Sequence, residues 1–172
     1  VLLSVIFYKF TLRVFFGMVI IPENKIGLVT KKFVLFGAKP LADGRIIASD
    51  GEAGYQIDTL APGDLKWGYW VWQYDITQQD FITIPKGKIG LITAKDGGQL
   101  PTGQILARGV ECDNFMDARM FLKNGGQKGK QVKYLNTGVY RINTLLFDVS
   151  VTDITTIGEG QVGIITSQDG RP

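Results

Sequence analysis

The side chains that could do chemistry are few and far apart. The chain has one cysteine, Cys112, and no histidine. That excludes a Ser-His-Asp or Cys-His nucleophile and any Cys/His zinc site. It also excludes a disulfide within the chain. Carboxylates such as Asp75, Asp148 and Asp153 are present, but no two stand at a spacing that would pair them as general acid and base. No G-x-G-x-x-G or Walker pattern surrounds any glycine. The nearest approach to an anion cradle is Gly126-Gln127-Lys128-Gly129-Lys130. Its two lysines and backbone amides could hold a phosphate or lipid headgroup, or could form a solvated loop. No catalytic residue, cofactor or metal is expected, and the chain is not read as an enzyme.

The charge balance points to no polyanionic partner. Nineteen basic and sixteen acidic residues leave a net charge of +3, and two of the basic ones, Lys9 and Arg13, sit inside an apolar stretch. Nucleic-acid binding requires a basic face or stripe, and none is visible. A lone cysteine fits a reducing compartment.

The elements that position these residues begin with an apolar run. Residues 1–21 hold fifteen strongly apolar side chains around Lys9 and Arg13. As one helix they would span about 31 Å, close to a bilayer core. The apolar residues contribute roughly −4.5 to −9 kcal/mol to insertion, and two central charges cost roughly +5 to +7. The segment alone is therefore a marginal span. A better fit is a membrane anchor over residues 1–17 that forms the end of a longer span finishing near Tyr8. Lys9 and Arg13, four apart on one helix face, would then snorkel to the headgroups, with Phe15 and Phe16 in the interface. A buried core helix is the competing interpretation. The chain opens without Met and stops partway through a pattern that it shows twice earlier, so both ends are expected to be cuts through a longer protein.

That pattern is the most informative feature. Ile21-Pro22-Glu23-Asn24-Lys25-Ile26-Gly27-Leu28-Val29-Thr30 returns as Ile84-Pro85-Lys86-Gly87-Lys88-Ile89-Gly90-Leu91-Ile92-Thr93. It returns again as Ile157-Gly158-Glu159-Gly160-Gln161-Val162-Gly163-Ile164-Ile165-Thr166. The segment 41–48 corresponds to 100–107, and 56–63 to 131–138. The reading is mainly β: tandem small antiparallel units, stacked as repeats, over 18–82 and 83–155, with a third starting at 156–172. The 22 glycines and 6 prolines supply the many turns that such units need. Gly27, Gly90 and Gly163 are expected to be structural, marking a close backbone approach where units meet.

Two segments stand out from the repeat. The second unit carries 16 extra residues between Ala107 and Gln131. Asp113 or Asn114 can cap a short helix over about 114–124, with Phe115, Ala118 and Leu122 as its apolar stripe. The run Trp67-Gly68-Tyr69-Trp70-Val71-Trp72-Gln73-Tyr74 holds all three tryptophans. Set against residues 142–149 it reads as a core face. Alternatively, Trp67, Tyr69, Trp70 and Trp72 form a belt facing a membrane or a neighbouring subunit.

The stretches 84–93, 115–129 and 138–147 resemble the N-terminal region of large flotillin-like bacterial proteins of the SPFH or band 7 superfamily. The resemblance covers roughly residues 18–172 and is most specific over 115–147. More loosely, the units resemble the repeats of the major vault protein. The resemblance implies a protein anchored in the bacterial inner membrane that assembles from many copies into rings or cages, organising a membrane microdomain or enclosing membrane-protein clients. It carries over no catalytic residues. Lys25, Lys31 and Lys32, close after the anchor, favour a cytoplasmic β domain. The competing expectation is a monomeric, membrane-tethered β module that binds one protein partner.

Overall fold

The computed structural model describes residues 2–37, 39–63 and 65–166. The fold is mainly β, with several small antiparallel and mixed sheets and two helices. The chain divides into two compact units, Val1–Phe81 and Ile82–Pro172.

The first unit opens with α1 (Leu2–Phe16), followed by β1 (Val19–Ile20), β2 (Lys25–Lys31), β3 (Ile47–Ala48), β4 (Gly54–Gln56), β5 (Leu65–Lys66) and β6 (Tyr74–Asp80). Its main sheet has the order β3-β4-β2-β6, and β1 pairs with β5 in a small second sheet. The second unit contains β7 (Ile82–Ile84), β8 (Lys88–Ala94), β9 (Leu106–Ala107), α2 (Ala118–Lys123), β10 (Gly129–Leu135), β11 (Gly138–Tyr140) and β12 (Phe147–Asp153). Here the main sheet runs β9-β10-β8-β12, and β7 pairs with β11.

The two units have one topology. Each long strand (β2, β8) pairs antiparallel with a long edge strand (β6, β12) and, on its other side, with β4 or β10. The two-residue strands β3 and β9 pair parallel with β4 and β10, so the sheets are mixed and not purely antiparallel as the sequence suggested. Small contacts repeat as well. The Gln56 side-chain amide donates to the carbonyls of Glu52 and Gly54, and Gln131 does the same to Gln127 and Gly129. The Lys32 ammonium donates to Val71 O, and that of Lys95 to Thr144 O. At the far end of the long strands, Lys25 faces Asp80 at 3.6 Å and Lys88 faces Asp153 at 3.1 Å.

The recurring glycines sit at the centre of this packing. A Cβ on Gly27 would lie 2.8 Å from Ile21 Cδ1 and 3.0 Å from Leu60 Cβ. On Gly90 it would lie 2.9 Å from Ile84 Cδ1 and 3.2 Å from Leu135 Cβ. The side chain is missing because the preceding turn folds its isoleucine back across the strand. This close approach lies inside each unit, not where units meet. Gly163 has the same relation to Ile157, and the turn before it closes through Gln161 N–H to Gly158 O at 3.1 Å. Residues 154–166 nevertheless form no strand, because among the described residues no strand forms a ladder with them beyond the single bond from Ile154 N–H to Gly87 O. The rest of the expected third unit, 167–172, lies outside the described residues.

Helix α1 lies within the segment expected for it, and α2 departs from expectation. α1 has 15 residues, about 22 Å at ~1.5 Å per residue, against ~30 Å for a bilayer core. No helix among the described residues is long and apolar enough to cross a membrane. Gly17, at φ +61°, ends α1 in the left-handed conformation, and Met18 N–H reaches back to Leu12 O. α2 starts four residues later than expected. Asp113, Asn114 and Phe115 are all left-handed (φ 47°, 50° and 63°), and Asp117 is the cap, its carboxylate accepting from Met120 N at 2.7 Å. The buried stripe is consequently Phe115, Ala118 and Phe121, with Leu122 only partly buried. Phe121 packs edge-on against Phe147 at 4.9 Å and Phe115 against Phe147 at 5.3 Å, so the insertion caps its own unit's core.

Candidate functional site

The C-terminal end of α1 is built into the aromatic run. The last carbonyls of a helix lack intrahelical partners, and here residues 68–70 supply them. Gly68 N–H donates to Phe16 O at 3.1 Å and Tyr69 N–H to Gly17 O at 2.9 Å. The Trp70 indole N–H donates to Phe15 O at 3.1 Å. Only glycine fits at position 17, since a Cβ there would lie 2.6 Å from Tyr69 N.

Around this joint the aromatic rings form a collar. Phe16 meets Trp67 edge-on at 6.1 Å, Trp70 stacks on Trp72 at 5.9 Å, and Phe33 lies against Trp72 at 5.8 Å. Tyr69 turns inward to Tyr74 at 5.2 Å and joins the core of Val19, Ile21, Val29 and Leu60. Burial, with a smaller push from Tyr74, raises the Tyr69 phenol above its ordinary pKa. The outer members stay in solvent: Phe15 is 72% exposed, Phe16 55%, Trp67 53% and Trp72 46%. Phe7, Tyr8, Phe10, Leu35 and Phe36 are exposed as well.

The aromatic run is therefore not the core face that its alignment with 142–149 suggested. Trp70 O accepts from Gln73 N and Tyr74 N, as Asn143 O accepts from Leu146 N and Phe147 N. Trp70 thus stands where Asn143 stands, two positions away from the alignment by sequence. In this turn only Gln73 is buried.

The cations flank the collar unevenly. Arg13 is exposed beside a groove of about 240 Å³ that it lines with Met18, Val19, Ile20, Ile76 and Gln78. The side chain of Lys9 lies outside the described residues. Lys32 is held to the aromatic turn through Val71 O, and Lys31 donates to Gly51 O at 2.9 Å. Sequence reasoning missed Phe33, Gly17 and Gly68. Phe33 could have been found as the first of three large apolar residues (Phe33, Leu35, Phe36) directly after a strand that ends in two lysines.

The other candidates do not assemble a reactive site. Cys112 is buried, with its thiol against Val110 O and its pKa pushed up by that burial. The Gly126–Lys130 loop spends its amides on structure: Gly126 N–H goes to Phe121 O and Lys128 N–H to Gly98 O. Asp153 faces Lys88, and Asp75 and Asp148 lie on the edge strands opposite Thr30 and Thr93. Among the described residues no cluster of acidic, Cys or His side chains could hold a metal ion. Compared with protein-family models, curated proteins and solved structures, the chain matches none.

Proposed function

We propose that the chain is the membrane-proximal part of a structural scaffold, in which many copies stand side by side on a bilayer and build a wall of β units. The wall organises a membrane microdomain or encloses membrane-protein clients. No reaction, cofactor or nucleic acid enters this function.

The observation that carries the proposal is the duplication of one unit whose edge strand has no pairing partner among the described residues. β6 and β12 are equivalent seven-residue strands, each outermost in its sheet. An open edge of that length invites pairing with another chain. Small units with little core of their own gain stability by association. The aromatic collar gives the array an orientation. Trp, Phe and Tyr rings around a helix end, with Arg13 beside them, match the composition of a membrane–water interface. α1 then lies at the headgroup level, as the interfacial end of an anchor. The resemblance of residues 84–93, 115–129 and 138–147 to SPFH proteins supports the same function.

The mass of the intact protein, gently extracted from its membrane and followed by sedimentation, tests this. Assemblies of many copies are expected. A single copy at every concentration would overturn the scaffold and leave the tethered binding module.

A further inference from the structure

The two units share one topology but differ in how one sheet face is covered. In the first unit Gly27 and Val29 point to the core with Ile21 and Leu60, so Ile26 and Leu28 point to the opposite face. With Ile47 and Ile57 they form a row across β3, β2 and the end of β4. All four are buried, with exposures of 1%, 5%, 0% and 3% for Ile26, Leu28, Ile47 and Ile57.

The equivalent row in the second unit is Ile89, Leu91, Leu106 and Val132, apolar at every position. Leu91 is 46% exposed, Leu106 36% and Val132 55%, and Ile89 is only partly buried. Tyr134, opposite Leu91 across the β8–β10 pairing, adds a ring that is 54% exposed. The same side-chain row is closed off in one copy of the fold and bare in the other.

We infer that this row is the docking face for a third β unit of the same chain, the one opened by the motif 157–166. The inference rests on the repeat-wall function proposed above. Two observations on the chain itself select this occupant. First, the linkers match: Asp80-Phe81-Ile82-Thr83-Ile84 leads from the first edge strand into the second unit, and Asp153-Ile154-Thr155-Thr156-Ile157 leads from the second edge strand into the third motif. Second, the third motif has already formed the turn and the Ile157–Gly163 approach of a unit, while Val162, Ile164 and Ile165 stand 92%, 94% and 93% exposed. Ile154 N–H is bonded to Gly87 O at 3.1 Å, so the third motif starts three residues from a fixed point on the second unit. So short a tether gives docking a high effective concentration.

Thiol protection tests this in the intact protein. In a Cys112→Ala background, Val132→Cys places a probe in the row, and Val139→Cys, at a residue 60% exposed and outside it, gives the accessible reference. The thiol at 132 is expected to react about tenfold or more slowly than the one at 139, because it reacts only through local opening. Adding Ile165→Asp, whose counterparts Val29 and Ile92 are buried in the cores of their units, is expected to stop the third unit from folding and so to abolish that protection. Equal rates at 132 and 139 would overturn the inference. So would protection that survives Ile165→Asp, which would assign the face to a second copy or another partner. Either failure can occur in a protein that still forms large assemblies, so this inference and the scaffold fail separately.

Discussion

Gly90 and Leu135 face each other across β8 and β10 so closely that a Cβ on the glycine would stand 3.2 Å from Leu135 Cβ, and Gly27 repeats this with Leu60 at 3.0 Å. Leu135 is held there by the β8–β10 pairing and Leu60 by an isolated bridge of two backbone hydrogen bonds to Gly27, and each unit's turn isoleucine, Ile21 or Ile84, closes the third side. The unit is thus organised around an absent side chain. This relationship explains why the Ile-x5-Gly spacing persists in all three motifs.

Filling either gap should be costly. Gly27→Val and Gly90→Val are each expected to destabilise their unit by about 2–3 kcal/mol, the upper range for overpacking a core. Gly163→Val in the 172-residue chain is expected to leave both units within about 0.5 kcal/mol of the parent, as exposed substitutions do. Urea unfolding of the three variants checks this. An equal loss in all three would contradict it.

The collar predicts a division of labour among the tryptophans. Trp70→Phe removes the indole donor from Phe15 O and should cost about 1 kcal/mol, read as faster amide exchange near the end of α1. Trp67→Ala and Trp72→Ala leave that cap intact. Each should weaken binding to vesicles by up to about tenfold, since each ring is about half exposed and full burial of a large apolar side chain is worth roughly 1.5–3 kcal/mol. Vesicle co-sedimentation of folded variants decides. Unchanged partitioning would mean that the collar faces something other than lipid.

The pH dependence of the first unit has a definite sign. Burial raises the Tyr69 phenol above its ordinary value, so the unfolded chain ionises first as the pH rises. The stabilising contribution of the neutral phenol is complete below about pH 10, the unperturbed value. It is lost as the pH climbs through the raised one. Denaturation midpoints of the parent should fall faster above pH 10 than those of Tyr69→Phe. Parallel curves would show that the ring is not held in the interior.

Edge pairing is open to negative tests. Ser150→Lys and Thr152→Lys add charge along β12, opposite Leu91 and Ile89, without touching the packing of Phe147, and charged side chains on an edge strand oppose pairing with another chain. Thiol protection at 132 is read in the same variant, which separates loss of edge pairing from loss of the docked third unit. The double variant is expected to keep its unfolding midpoint and to form smaller assemblies by light scattering. Assemblies of unchanged size would move the subunit contact away from this edge.

Much of the repeat was legible because it is written in turn residues and glycines, whose backbone requirements are local. The Ile-x5-Gly motif alone located both long strands. What was not legible depended on tertiary pairing. The two- and three-residue strands β1, β5, β7 and β11 exist only through their partners. The aromatic run was set two positions out of register because Trp70 and Asn143 play one role in the turn with no chemical likeness. α2 begins late because Asp113, Asn114 and Phe115 adopt a left-handed path, which Asp and Asn tolerate but which nothing local signals for Phe115. The joint between α1 and residues 67–70 links positions more than fifty residues apart, and no spacing in the sequence announces it. The Gln56 and Gln131 clamps were within reach, since the two glutamines open the matched segments 56–63 and 131–138.

The most direct test of the central claim is negative-stain electron microscopy of the intact protein, purified in mild detergent. Closed rings or cages of many subunits, with layered density rising from a detergent belt, are the predicted result. Isolated small particles at every concentration, with no detergent belt, would contradict the scaffold and its membrane attachment together.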